Sequence, residues 1–580
     1  MIGVPLRFKT AVALVLLGLL TLMAGIGQKT IWAPSETFTV PAPSDAAAAP
    51  LTVFDQELRT VHGGTVKINI KGEGKFLLAA GRPDDVSAWV GKTAHNSVTG
   101  ISADKKSLQV EHSDGEAAAP SPAGSDLWVS TENASGELNY SWTPPAGGDW
   151  SLLLASDGTK PAPSSISMTF PNDTATPWAV PLMVIGGLLM LAGIALLVLK
   201  YGTRTGNNDG GNGSLFAKRA RAKAKAKATS SARLSMIVAA ATAALMAGTG
   251  AAAQATTSPA PTPSTGASST ASPSGSASAA PDAAAESPVL LDAQFRRILE
   301  QVSGATDAGD AAKDAGKLAP RVAGTELEIR TQNYKVRSQV GSYEARMPVR
   351  STKLLTTVVT SKRDWPRSVL AVTQGDGNVV PQLLTLVQTS PRENYKLVGT
   401  TPLQPGATFP SIGRDGTETL AAKDKSGLLY SGEEAMAGLA DRLAKADSAF
   451  KDKLVEGGSS PYIADTLSLQ DDLVAKGPNY NFGFTHKVVP ESTVVFRTSD
   501  GGALVLGRIT FAIDSTPKAE GDKLTISDEA SAALAGGKET TKGAVQTFAE
   551  SMAVYIPPAG SKDPMKLVAG TRGLVGASFK

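Results

Sequence analysis

Residues 395–409, YKLVGTTPLQPGATF, return as MKLVAGTRGLVGASF at residues 565–579, 170 positions later and without a gap. Lys396, Leu397, Val398, Thr401, Gly406, Ala407 and Phe409 recur as Lys566, Leu567, Val568, Thr571, Gly576, Ala577 and Phe579. Self-similarity at a fixed displacement marks a duplicated unit. Before the first copy, Asp292 to Leu318 has helical spacing, with Phe295, Ile298, Leu299 and Val302 on one stripe. Strand-like segments follow: ELEIRTQNYKVRS, KLLTTVVTS, SVLAVTQ, QLLTLVQTS and NYKLVGTTPL. The order then restarts. Glu433 to Val455 and Ile463 to Ala475 read as helices, followed by NYNFGFTHKVV, STVVFRTS, GALVLGRITFAI, VQTFAESMAVYIP and the second copy. The echo is thus the last strand of each half, and the expected fold is an α+β layer made twice, over 289–425 and 426–580.

The 580 residues exceed what one core holds. A net charge of +3 excludes a chain that binds nucleic acid over its whole surface. Cysteine is absent, which removes disulfides, thiolate metal sites and cysteine nucleophiles together.

Three apolar runs organise the N-terminal half. AVALVLLGLLTLMAGIG (11–27) follows a short basic N-terminus (1–10) with Arg7 and Lys9, and lacks a small-residue cleavage site directly after it. An uncleaved anchor is favoured over a signal peptide. WAVPLMVIGGLLMLAGIALLVLK (178–200) has the length a bilayer needs and is flanked by Trp178 and Tyr201. The loop at 201–233 carries Lys218, Arg219, Arg221, Lys223, Lys225, Lys227 and Arg233. Short basic loops stay cytoplasmic, and this one has the charge to hold anionic lipid headgroups. No aromatic residue is interleaved with its cations for base stacking, so nucleic acid is not the expected partner. LSMIVAAATAALMAGTGAAAQA (234–255) reads as a third span over 234–253 or as an internal signal cut near Ala253 or Ala255. The Ala/Ser/Thr/Pro segment at 254–288 cannot build a core and reads as an extended stalk. The expected arrangement is a plasma-membrane protein with 36–172 and 254–580 outside the cytoplasm.

Between the first two spans, TVKINIK, KFLLAAG, DLWVST, GELNYSW, DWSLLLA and SISMTF are short β-compatible segments separated by turn-rich stretches, and alternation in TVKINIK puts Val66, Ile68 and Ile70 on one face, which predicts an all-β sandwich. FLLAAGRPDDVSAWVGKTAH (76–95) and LNYSWTPPAGGDWSLLLASDGTKP (138–161), with Trp142, Pro144, Gly148, Trp150, Asp157 and Gly158, resemble the extracytoplasmic β-sandwich of uncharacterised actinobacterial membrane proteins. LEQVSGATDAGDAAKDAGKLAPRVAGTELEIRTQNYKVR (299–337) is similar to an uncharacterised C-terminal domain of actinobacterial envelope proteins. The helix-then-sheet order also resembles the cone-shaped fold of the nuclear-transport-factor-2-like superfamily, which implies two cone-like repeats but no activity.

His62, His95 and His112 fit no metal-ligand spacing, and no metal or cofactor is expected. In the second half, Tyr480, Phe482, Phe484 and His486 alternate and share one face of a strand, so they are the candidate ligand-binding residues on a concave sheet; a packed aromatic core is the favoured alternative. Asp307, Asp310 and Asp314 lie on one helical side, where a solvated face is favoured over acid/base work. Nucleophile elbows, phosphate loops, dinucleotide fingerprints and His-Glu-x-x-His are all missing from the sequence. The resulting expectation is a non-catalytic envelope protein presenting binding or scaffold domains to envelope proteins or wall polymers. The alternatives are an envelope enzyme, glycan-directed as in glycosyltransferase-related activities, and a precursor whose C-terminal domain is released.

Overall fold

The computed structural model describes residues 6–60, 64–143, 149–156, 160–202, 288–404, 406, 408–413, 416–456 and 461–580. The basic loop with Lys218, Arg219, Arg221, Lys223, Lys225 and Lys227, the third apolar run, almost all of the 254–288 linker, and His62 lie outside the described residues, as do Pro144, Gly148, Asp157 and Gly158.

The chain opens with helix α1 (Leu6–Lys29). A strand-rich module follows: β1 (Thr37–Pro41), β2 (Leu51–Phe54), β3 (Val66–Gly81), helix α2 (Pro83–Val90), β4 (His95–Ile101), β5 (Leu108–Ser113), β6 (Ser130–Trp142), β7 (Ser151–Ala155) and β8 (Ser165–Pro171). Its strands form one curled sheet in the order β1-β8-β3-β7-β2-β4-β5, with β6 also on β3. The long β3 makes this possible. Its register breaks between Lys71 and Lys75, so its first part pairs with β8 and its second with β7. Val66, Ile68, Ile70, Trp142, Leu152, Leu154 and Phe170 fill one face. Helix α2 and a single helical turn at Glu57–Thr60 mean that the module is not all-β. Pro83 opens α2, and the module buries Val86, Trp89 and Val90 on a second apolar face with Leu77, Trp128 and Leu153.

Helix α3 (Ala179–Gly202) packs against α1. Both are long and apolar enough to cross a membrane, over Phe8–Lys29 and Ala179–Val198. Small residues let their backbones approach: a Cβ on Gly186 would stand 2.5 Å from Leu22 N, one on Gly18 2.6 Å from Met190 N, and one on Gly25 2.8 Å from Ala179 O.

From residue 288 the same order of elements occurs twice. The first half has helices α4 (Asp292–Ala312) and α5 (Gly324–Arg337), then β9 (Lys353–Val359), β10 (Arg367–Gln374), β11 (Gln382–Gln388) and β12 (Lys396–Pro402), an antiparallel meander. After a short β13 (Thr419–Leu420) come α6 (Gly432–Ala444), β14 (Leu454–Glu456), α7 (Tyr462–Lys476), β15 (Tyr480–Arg497), β16 (Ala503–Pro517), β17 (Leu524–Thr525), α8 (Glu529–Ala535), β18 (Glu539–Thr540), β19 (Ala544–Ile556) and β20 (Met565–Phe579). Here the meander is β15-β16-β19-β20, with β13 and β14 at its edges. The two sheets pack face to face through Val358, Leu370, Val372 and Leu383 against Phe496, Leu504, Leu506 and Val568. Their outer faces carry α4, through Phe295, Ile298 and Val302, and α6, through Met436, Leu439 and Leu443. The echoing strands β12 and β20 meet: Leu403 bridges Ala569, and Gln404 donates to the Val568 and Gly570 carbonyls at 3.2 and 3.1 Å.

Two elements differ from the sequence expectation. Residues 326–338 read as a strand because Glu-Leu-Glu-Ile alternates, yet they form most of α5. The buried positions Glu326, Ile329, Arg330, Asn333 and Tyr334 do have helical spacing, but three of them are polar, so apolar periodicity hides the helix. The helix expected to reach Val455 stops at Ala444, and Leu454–Glu456 pairs in parallel with β20.

Candidate functional site

The far end of the second sheet outruns the first. Over it lies the segment 518–543, which joins β16 to β19 and contains β17, α8 and β18; the corresponding connection in the first half, from β10 to β11, is only 375–381. Beneath that insertion is a cavity of about 640 Å³. Its floor is the inward row of β15, β16 and β19, including Phe482, Ile513 and Phe548. Helix α7 walls it with Leu469 and Leu473, the insertion with Leu524 and Ile526, and α5 of the first half with Ile329 and Asn333. Gly477 ends α7 where a Cβ would stand 2.8 Å from the Phe482 ring, so the helix terminus sits directly on the floor.

The four residues singled out in β15 divide between the cavity and the core. Tyr480 and Phe482 line the cavity. Phe484 stacks on Phe482 with ring centroids 6.0 Å apart. The His486 side chain is fully buried and stacked at 4.3 Å on Phe511. Its Nδ1 lies 3.1 Å from Glu550 Oε2, and its Nε2 lies 3.2 Å from the amide nitrogen of Gln470. Glu550 Oε1 accepts from Tyr462 Oη at 2.9 Å and pairs with Arg572 at 3.2 Å. Burial, followed by the Glu550 charge, pushes the Tyr462 hydroxyl well above its usual range. Arg572 also bonds Thr466, lies between the Phe511 and Tyr462 rings, and shows part of its side chain to the cavity. Sequence reading missed Glu550 and Arg572; the available signal was a charged residue at an inward position of each strand.

The aspartates of α4 do different work. Asp310 accepts both Nη1 bonds of Arg330, at 2.8 and 2.7 Å, and the Tyr334 hydroxyl at 2.5 Å. Arg330 Nε bonds Glu326 at 2.6 Å, and Glu326 accepts from Thr400 at 2.8 Å. Burial opposes the Glu326 charge, but Arg330 and Arg346 outweigh it and hold this carboxyl below its usual range. Asp307 pairs with Arg350, and Asp314 caps the following turn. Of the histidines in the first module, His95 meets the Thr93 carbonyl and His112 meets Asn96; among the described residues no group of acids and histidines has metal-site geometry.

The module at 35–173 and the domain from 288 form one compact unit, and their joint is charged and buried. Asp126, almost fully buried, takes Arg321 through both carboxylate oxygens, at 2.6 and 3.1 Å, and the Tyr395 amide at 2.8 Å. Helix α2 is clasped at both ends. Arg363 and Arg367 pair with Asp84 and Asp85 of its first turn, at 2.6 and 2.7 Å. Arg392 donates to the carbonyls of Trp89 and Val90 at its last turn, at 2.8 and 2.9 Å. Asp84 and Asp85 at the first turn and Arg392 at the last sit at the helix ends whose dipole favours their charges. Burial nonetheless pushes the Asp85 carboxyl above its ordinary value, against the pull of Arg367. Arg82 reaches Pro288 O at 2.6 Å, so the last residue of the linker segment is held by the first module.

No curated protein and no solved structure matches the chain. Residues 286–578 match the family described as Domain of unknown function (DUF8094), which begins at the joint, takes in both halves and the whole wall of the cavity, and covers half the chain. The chain belongs to this DUF8094 family.

Proposed function

We propose that the protein is a non-catalytic plasma-membrane protein of the cell envelope that presents its two modules as one rigid binding body outside the cytoplasm. The joint is the observation that carries this reading. Residues 35–173 and 288–580 are separated in sequence by the apolar helix α3 and by the basic loop, yet they bury ion pairs against each other. Such pairs form only if both segments are on the same side of the membrane. A chain that crosses at α3 must therefore cross again before residue 288, and the run at 234–253 supplies the apolar residues for it. The glycine contacts between α1 and α3 favour an uncleaved α1, since removal would expose Gly186 and Gly193. The cavity provides the binding site, with a volume in the range of small-molecule pockets. The spare charged groups near it are engaged with each other: His486 meets Glu550 and Gln470, and Glu550 meets Tyr462 and Arg572. The cone-like curvature of the second sheet fits a ligand-holding role. Envelope proteins and wall polymers are the proposed larger partners.

The absence of cysteine makes the test simple. Ser135→Cys, Asp522→Cys and Thr229→Cys are each treated with a membrane-impermeant maleimide on intact cells and after permeabilisation. Labelling of the first two on intact cells, with the third labelled only after permeabilisation, is the expected result. Labelling of Ser135→Cys and Asp522→Cys from opposite sides would overturn the proposal.

A further inference from the structure

The face that each sheet of the C-terminal domain turns to the other changes character along its length. At one end it is apolar, where Leu370, Val372 and Leu383 meet Phe496, Leu504 and Leu506. Alternation then puts Ser368 on the same face of β10 as Leu370, Thr385 on the same face of β11 as Leu383, and Ser551 on the same face of β19 as Ala553. Cross-strand pairing adds Thr401 opposite Leu383 and Gly399 opposite Thr385. Facing sheets normally fill the space between them with interdigitating apolar side chains. Here the facing residues shrink to hydroxyls and a glycine, and a cavity of about 530 Å³ is left between the two halves. It shares no lining residue with the cavity under the 518–543 insertion. Six of its hydroxyls, on Thr325, Ser368, Thr385, Thr401, Thr493 and Ser551, make no hydrogen bond among the described residues. Their oxygens are still accessible, unlike that of Thr373, which has no partner and no surface. All but Thr493 belong to otherwise buried residues, so the surface they keep is that of the cavity. The charged lining residues are Lys362, Glu491 and Arg508. Arg508 is held by Glu328 at 2.7 Å, while Lys362 and Glu491 are exposed and opposite in sign, so no net charge in the lining selects an ion.

Polar cavities hold water, and an occupant that cannot reproduce the water's hydrogen bonds loses affinity. A hydrocarbon would leave six hydroxyls without partners, and an ion would gain no unpaired opposite charge among them. A molecule with several hydroxyls of its own can both donate to and accept from these side chains, because each Ser or Thr hydroxyl does both. Val387, Val494 and Leu506 line the same space and suit the C–H face of a sugar ring. We infer that the cavity between the halves binds an uncharged saccharide, its hydroxyls set against Ser368, Thr385 and Thr401 of the first sheet and Ser551 of the second. Both copies of the duplicated unit are needed to make the site. It is separate from the cavity under the insertion and does not depend on it.

The test uses the full chain in phosphatidylcholine nanodiscs, with binding read by saturation-transfer NMR against empty nanodiscs. The probes are glucose, galactose, mannose, arabinose, N-acetylglucosamine and maltose, with glucose 6-phosphate and glucosamine as charged counterparts and cyclohexanol as a ring with one hydroxyl. At least one uncharged sugar is expected to bind, and to bind more tightly than cyclohexanol and both charged probes. Thr385→Val together with Thr401→Val is expected to weaken that sugar about tenfold, the worth of one to two hydrogen bonds, and to keep or raise the melting temperature, since these hydroxyls bond nothing in the protein. Gly399→Val is expected to abolish binding in a folded protein, because an added Cβ there would meet only Ser551 Oγ, at 3.8 Å, and the side chain would occupy the cavity. Failure of every uncharged sugar to bind, or binding that survives Gly399→Val, would overturn the site. Tighter binding of a charged probe, or equal binding of cyclohexanol, would overturn the saccharide assignment. A melting temperature lowered by the two valines, with sugar affinity unchanged, would show that the hydroxyls serve the fold instead.

Discussion

At the level of single residues, the sharpest consequence concerns Glu326. It is fully buried, pairs with Arg330 and is shared by both strand and helix layers through Thr400. Removing its charge leaves Arg330, whose side chain is also fully covered, with Asp310 as its remaining carboxylate, and taking one partner from such a buried group costs up to about 3–5 kcal/mol. Glu326→Gln keeps the shape and some hydrogen bonding, so about 3 kcal/mol is expected. Its pH dependence has a definite sign. The folded-state value lies below the ordinary 4.5, so the stabilisation is complete above pH 4.5 and is lost as pH falls through the depressed value. Melting curves of the parent and of Glu326→Gln should therefore differ by a constant amount near neutrality and converge in acid; a gap that widens on acidification would contradict the assignment.

At the level of elements, the α1–α3 contact is made by glycines whose neighbours are not equally crowded. A Cβ on Gly186 would strike the backbone of Leu22 and of Gly18, whereas one on the adjacent Gly187 would meet nothing within 4 Å. Gly186→Leu is expected to lower the stability of the helix pair by about 1–3 kcal/mol, read as melting of the helical circular-dichroism signal in nanodiscs, and Gly187→Leu to leave it unchanged. Equal effects from the two would mean that composition alone governs the pair. The cavity also belongs to this scale. The 518–543 insertion distinguishes the second half from the first, and it is the insertion that roofs the space a shorter turn would leave open.

At the level of the molecule, the joint between 35–173 and 288–580 changes the meaning of the linker. A protease site placed within 256–287 is expected to yield two fragments that stay together on affinity purification and separate only when the joint is broken. Asp126→Ala removes the carboxylate that holds Arg321 and the Tyr395 amide, leaves a buried cation, and is expected to release the C-terminal fragment after cleavage, with a loss of about 3–5 kcal/mol. Fragments of the parent that separate at once would show that the joint is too weak to organise the body. The same experiment bears on release by signal peptidase: cutting near Ala253 or Ala255 would leave the domain attached through the joint.

Much of this architecture was written in local pattern. Apolar length gave α1 and α3, β-compatible composition between turn-rich stretches gave most strands, and the echo of 395–409 in 565–579 gave the twofold order. What pattern could not carry was anything that depends on residues meeting across the fold. Helix α5 was concealed because its buried face is half polar, and its partners Asp310 and Thr400 lie far from it in sequence. The shared strand face of Tyr480, Phe482, Phe484 and His486 was legible, but not that its first two residues line a cavity and its last joins Glu550 in the core, since Glu550 and Arg572 acquire meaning only where separate strands converge. The sequence by itself determined the two long apolar helices, the strand meanders and their repetition. Only the tertiary structure decided that the two modules are one body and that the second sheet ends in a cavity, because a buried charge or an empty volume is a property of neighbours rather than of spacing.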